Sequence, residues 1–203
     1  MSARAVEASV ARDRGRAGGD ATGRAWRIAA AVTDPEIPVL TIEDLGVLRA
    51  VEVDPGAGSV RVTITPTYSG CPAMDAIRDD LVLALTAAGY REVRVDLALA
   101  PAWTTDWMSE PGRQKLRRYG IAPPSGRAAA GGVGAAGGEG GPGAAGAART
   151  SGRAGRVRVP LAVKCPRCDS LRTREVSRFG STSCKALYEC LDCLEPFDAF
   201  KVL

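Results

Sequence analysis

The chain has 203 residues and a formal net charge of +4, from 27 Lys and Arg against 23 Asp and Glu, a balance too mild to mark a nucleic-acid-binding surface. It contains no histidine, which removes the Ser-His-Asp triad, the Cys-His couple, the two-histidine iron site and the Glu-x-x-His pairs of di-iron carboxylate bundles. Any metal must therefore rest on Cys, Asp or Glu, and with no apolar run long enough to span a bilayer or form a signal-peptide core, a cytoplasmic protein with reduced thiols is expected.

Residues 1–24, rich in Ala, Arg, Gly and Asp without apolar period, are expected to be a disordered leader. Residues 25–124 carry the pattern of one compact domain. Trp26, Ala29, Ala30 and Thr33 mark the inner face of a short helix that must stop near Asp34, because Pro35 disfavours helical geometry in the residue before it. After an extended loop over 35–40, Thr41 followed by Asp44 is a helix-start capping pattern and predicts one helical turn over 41–45. Val47, Arg49, Val51 and Val53 alternate with their neighbours, as do Val60, Val62 and Ile64. The turn-forming run 54–58 between them makes this a β-hairpin.

A helix is predicted from Cys71, with Pro72 in its first position, a buried stripe of Met74, Ile77, Leu81, Leu85 and Ala88, and Gly89 as its stop. Val93, Val95, Leu97 and Leu99 alternate as a third strand, and the helical crossover before it implies parallel pairing within the sheet. A last amphipathic helix is expected over 109–119, with Gly120 as its stop. The order is α-β-β-α-β.

Gly and Ala dominate residues 125–155, a composition that reads as a flexible linker spanning about 30 Å root-mean-square and leaves the two halves free to move independently. Beyond it, in 156–203, stand Cys165-Pro-Arg-Cys168 and Cys190-Leu-Asp-Cys193. Two CxxC pairs in so short a segment put four thiolates around one tetrahedral ion and predict a small zinc β-ribbon. The fold class is α+β. Tetrahedral sulfur ligation suits iron as well, but rubredoxin-type knuckles read CxxCG, whereas Asp169 and Leu194 follow the second cysteines here. Cys184 has no place in a four-ligand site and reads as a spare.

Cys71 is the one cysteine of the first domain. At a helix start, free amides and the helix dipole favour thiolate; the competing reading is a small buried apolar residue. Asp34 and Glu36, in a proline-stiffened loop, are a second candidate cluster or else solvated turn residues. Trp103 and Trp107, four apart, either pack in the core or offer a partner surface.

Three strings, DPEIPVLTIEDLG (34–46), TPTYSGCPAMDAI (65–77) and PAWTTDWMSEPGRQKLRRYGIAPP (101–124), resemble the SufT-like iron-sulfur assembly domain family across nearly all of the first domain. The pair CPRCDS and RFGSTSCKALYECLDCLEPFDAFK narrows the resemblance to the branch of accessory D-type subunits of bacterial phenylacetyl-CoA epoxidases. The resemblance implies a maturation role in aerobic phenylacetate breakdown, with no catalysis of its own. It also implies the oxygenase and reductase subunits as partners, no nucleic acid or membrane, structural zinc, and transient iron or an iron-sulfur cluster as cargo. Asp34 and Cys71 match the loop Asp and helix-start Cys to which that family's metal handling is ascribed. A non-catalytic bridging subunit and a rubredoxin-like electron carrier remain the alternatives. The oxygenase and reductase themselves do not fit, since there is neither a Glu-x-x-His set, nor a GxGxxG after a strand, nor a ferredoxin cysteine run.

Overall fold

The computed structural model describes residues 19–68, 70–124 and 163–202. The expected linker over 125–155 and the first 18 residues of the expected leader lie outside them. Helix α1 occupies residues 19–30, so its first turn begins where the leader was expected. Arg24 donates to the Ala88 carbonyl and the Tyr90 hydroxyl to that of Ala21, which fastens this turn to the domain. The helix buries Ala29 and Ala30 as expected, but Trp26 is only half-buried, donating to Glu43, while Ala25 beside it is buried; Thr33 is exposed and Val32 takes the inward place. The cause is local: past α1 the chain is extended, and Thr33 forms an isolated β-bridge with Thr41.

Thr41 and Asp44 cap each other as the pattern predicted. The Asp44 N–H donates to Thr41 Oγ1 (3.1 Å), and the Thr41 N–H donates to Asp44 Oδ2 (3.0 Å). The segment is a turn rather than a helix, with one Leu45 N–H to Thr41 C=O bond before Gly46 reverses the chain at φ +70°. A Cβ at Gly46 would stand 2.5 Å from the Trp107 carbonyl oxygen, so both its backbone angle and its surroundings require glycine.

Asp44 then reaches across the fold to helix α3 (Glu110–Tyr119), accepting from Lys115 Nζ (2.5 Å) and from the Ser109 hydroxyl (3.3 Å). Burial alone would raise its carboxyl, but the Lys115 and Thr41 hydrogen bonds outweigh burial and hold it below the usual carboxylate value. A carboxylate depressed in the folded state stabilises fully above its unfolded value of about 4, and that stability drains away as the pH falls through the folded value. Asp44→Asn should therefore lower the Tm at neutral pH and flatten the acid limb of a Tm-versus-pH profile. An unchanged acid slope in the variant would contradict this.

Strands β1 (Leu48–Asp54) and β2 (Ser59–Ile64) form the predicted hairpin, pairing Val51 with Val62 and Val53 with Val60. Helix α2 (Ala73–Ala87) starts just after Pro72, leaving Cys71 outside it, and buries Met74, Ile77, Leu81 and Leu85 against the sheet. Strand β3 (Glu92–Leu97) runs parallel to β2, as the crossover required, giving the order β1-β2-β3. The expected burial fails at its end. Leu97, the last paired residue of this edge strand and opposite Ile64, is exposed, and so is Leu99 beyond the pairing.

Helix α3 has Ser109 as its N-cap, accepting from the Gly112 N–H, and left-handed Gly120 as its stop. It leads into the two-residue strand β4 (Ile121–Ala122). The C-terminal ribbon consists of β5 (Thr173–Ser177), β6 (Lys185–Cys190) and β7 (Pro196–Phe200), successive strands antiparallel. Its sheet has the order β4-β7-β6-β5, so the last strand of the first domain is also a strand of the ribbon, Ile121 opposite Asp198 and Ala122 opposite Ala199.

Independent movement of the halves is thereby overturned. Besides the shared sheet, the Phe200 ring lies 6.1 Å from that of Trp103, and Phe200 and Cys184 belong to the buried core of the first domain. Linker composition sets only how far two bodies can separate; complementary apolar surface decides whether they do. No helix among the described residues is long and apolar enough to cross a membrane.

Candidate functional site

The four cysteines of the CxxC pairs meet at the ends of the ribbon strands, every Sγ within 4.8 Å of every other. Cys165 and Cys193 are 3.8 Å apart, and Cys168 and Cys190 are 3.5 Å apart. Sulfurs bound at about 2.3 Å in a tetrahedron stand about 3.8 Å from one another, so the set fits one tetrahedral ion and leaves no open position. Each knuckle folds back on itself, with the Asp169 N–H on the Cys165 carbonyl and the Cys190 N–H on that of Glu195. The amide of Cys193 pulls the Cys190 thiol down to about 7, against the opposing effect of burial.

Asp169 (φ 63°) and Leu194 (φ 61°) occupy the left-handed region directly after each pair. A CxxCG knuckle uses its glycine in this same conformation. The backbone is therefore that of a metal knuckle despite the missing glycines, and their absence does not separate zinc from iron. Asp169 also pairs with Arg117 of α3 and with Lys164, which ties the first knuckle to the neighbouring domain.

A second set of groups lies along the seam between ribbon and domain. Asp34 is buried, and its Oδ1 accepts the N–H groups of Glu36 and Ile37 at 2.8 Å each, so the loop is built around this carboxylate. Burial pushes Asp34 up against the pull of those amides. The carboxylate of half-buried Glu36 lies beside Cys184, and its negative charge pushes up Cys71, Tyr68 and Cys184.

Cys71 does not hold the thiolate expected of a helix start. Burial pushes it above the ordinary thiol value, the Ala73 amide pulls it down, and Glu36 raises it further; the Thr67 and Tyr68 side chains are weaker opposing partners. The helix amide is there, but desolvation wins. Cys71 should accordingly react with iodoacetamide at pH 7 more slowly than an ordinary exposed thiol, read by peptide mapping after a short pulse. Labelling as fast as a free thiol would restore the thiolate reading.

Cys184 is the residue that sequence reading set aside. It is 6% exposed, Sγ 3.1 Å from Thr182 Oγ1 and 4.0 Å from Glu36 Oε2. Spacing within the ribbon could not reveal this, because its neighbours belong to another part of the chain. Trp103 is 5% exposed, donates to the Leu45 carbonyl and meets Phe200, so it is not an open partner surface. Half-buried Trp107 carries the Arg49 guanidinium 3.6 Å from its ring centroid. The two rings therefore have different neighbours rather than sharing one pocket.

Residues 30–99 match the family model described as iron-sulfur cluster assembly protein, and residues 150–201 match the one described as PaaD zinc beta ribbon domain. The chain is 43% identical over 178 residues to a protein of Escherichia coli (strain K12) provisionally named as the D subunit of 1,2-phenylacetyl-CoA epoxidase. That alignment covers 88% of this chain and 91% of the relative. An Fe-S protein maturation auxiliary factor of Porphyromonas gingivalis is 41% identical over 92 residues, 44% of this chain and 85% of that one. A solved domain of unknown function, DUF59 from Bacillus anthracis, superimposes with a TM-score of 0.47 at 25% identity, covering 50% of this chain and 96% of that structure.

Proposed function

The chain belongs to the family of 1,2-phenylacetyl-CoA epoxidase D subunits, and from that premise we propose that it is a non-catalytic maturation subunit of the epoxidase system. In this reading it is cytoplasmic and serves the oxygenase and reductase subunits of aerobic phenylacetate breakdown. Cys165, Cys168, Cys190 and Cys193 hold a structural zinc ion, which supplies fold rather than chemistry, since a closed four-sulfur shell admits no substrate. Cys71, assisted by Glu36 and positioned by Asp34, handles iron or an iron-sulfur cluster as cargo.

What supports the reading is the meeting of a sulfur donor and a carboxylate at the seam. A soft thiolate beside a hard oxygen suits ferrous iron. Because burial favours the protonated thiol, uptake of cargo releases a proton and delivery takes one back, which weakens holding and favours hand-over. A bridging role is the second reading, favoured by the exposed Leu171, Phe179 and Leu194 of the ribbon.

Co-expression of the oxygenase and reductase subunits with and without this chain tests the first reading, through the iron and acid-labile sulfide recovered in the purified clients. Both should fall without the chain, and fall equally when Cys71→Ser replaces it. Full metal content with Cys71→Ser, alongside loss of the assembled complex when the chain is omitted, would leave bridging instead.

A further inference from the structure

Cys184 belongs to the ribbon in sequence but not in surroundings. It stands outside the four-sulfur group, and the buried residues it joins are those of the first domain. The loop that carries it brings Ser183 to the Tyr68 hydroxyl, which also interacts with Cys71. The Glu36 carboxylate bears on both thiols, 4.0 Å from the Cys184 sulfur and close enough to Cys71 to act on its charge.

We propose that Cys184 of the ribbon, together with Cys71 and Glu36 of the first domain, forms one composite site for a thiophilic divalent metal ion. The proposal rests on the maturation reading of Cys71 and adds a ligand from the second module. Two sulfurs and a carboxylate oxygen are a donor set for ferrous iron or its cobalt analogue. Among the described residues the ribbon tetrad is the group whose ligand atoms all lie within 4.8 Å of one another, so the seam set is looser. That difference suits the division of labour. A closed four-thiolate shell binds zinc too tightly to pass the ion on, whereas an open mixed set holds cargo weakly. Binding exchanges two S–H protons for the ion; release to a client returns them, with no change of oxidation state.

The arrangement also makes the ribbon part of the site. Cys184 directly precedes β6, which ends in the metal ligand Cys190, and Lys185 beside it pairs with Asp198 of β7. A ribbon that lost its zinc would withdraw Cys184 from Glu36.

The test uses the full chain with zinc in the ribbon, titrated anaerobically with Co2+, which displaces zinc poorly from thiolates. A thiolate-to-cobalt charge-transfer band should grow in with one further equivalent, disappear in Cys71→Ser and in Cys184→Ser, and weaken in Glu36→Gln, with ribbon zinc retained throughout. Absence of the band in the wild type, or an undiminished band in Cys184→Ser, overturns the proposal.

Should Cys184→Ser lose its zinc, the wild type itself decides. Added Co2+ should protect Cys71 and Cys184 together from prolonged iodoacetamide treatment, and protection of Cys71 alone overturns the assignment. The two readings fail separately. Lost client iron in Cys71→Ser with an undiminished band in Cys184→Ser removes only the ribbon's ligand, whereas loss of the band in both variants with full client iron removes only the maturation role.

Discussion

Stripping the metal from Cys165, Cys168, Cys190 and Cys193, or replacing Cys190 with Ser, is expected to unfold the ribbon and to weaken the first domain along with it. The ribbon's own buried cluster is Ala122, Cys165, Cys190, Phe197 and Ala199, of which two are metal ligands and one comes from the first domain. So small a core does not hold a module of this size without a staple, and the bound ion supplies stability of the order of 10 kcal/mol. The effect spreads because the ribbon is a structural neighbour rather than a tethered one. Unfolding it unpairs β4 from β7 and withdraws Phe200 and Cys184 from the core of the first domain. Chelator titration followed by far-ultraviolet circular dichroism and by tryptophan fluorescence should give linked transitions, with a lowered Tm for whatever structure remains. A first domain that melts at the same temperature with and without metal would show that the docking contributes nothing to its stability.

Trp103→Ala is expected to be the most damaging single substitution in the first domain. The indole is 5% exposed, its N–H donates to the Leu45 carbonyl at 2.9 Å, and its ring meets Phe200 at 6.1 Å and 51°. Truncating such a side chain costs about 3–5 kcal/mol, with about 1–3 kcal/mol more if the Leu45 carbonyl is left without a partner. Part of that loss falls on the seam, so the ribbon's metal should also become easier to remove. Trp107 is the internal control. Half-buried, with Arg49 over its ring, it should cost far less on truncation, the cation–π contact itself being about 1 kcal/mol at such a site. Denaturant unfolding of the two variants measures the difference, and equal losses would refute the distinction between them.

Local rules made much of this chain legible. The alternation of Val51, Val53, Val60 and Val62, the stripe from Met74 to Leu85, the mutual capping of Thr41 and Asp44, and the Ser109 and Gly120 ends of α3 all depend on residues a few positions apart, and the structure follows them. The ribbon tetrad was readable for the same reason, since each CxxC pair makes its own knuckle. Where tertiary packing competes, the local rules lose. Leu97 and Leu99 keep the alternation of a strand but are exposed at the end of the edge strand β3 and beyond it, and Cys71 has its helix amide but is desolvated.

Sequence by itself determined the β-hairpin, the α2 and α3 helices, the parallel third strand and the four sulfurs that fit one ion, because hydrophobic period, capping chemistry and knuckle spacing act within short stretches of chain. Only the tertiary structure decided that the ribbon is docked, that Trp103 is buried beneath it, and that Cys184 and Cys71 face the same carboxylate. Those outcomes depend on the shape and apolar area of two surfaces far apart in sequence, and complementarity of that kind leaves no periodic trace in either stretch.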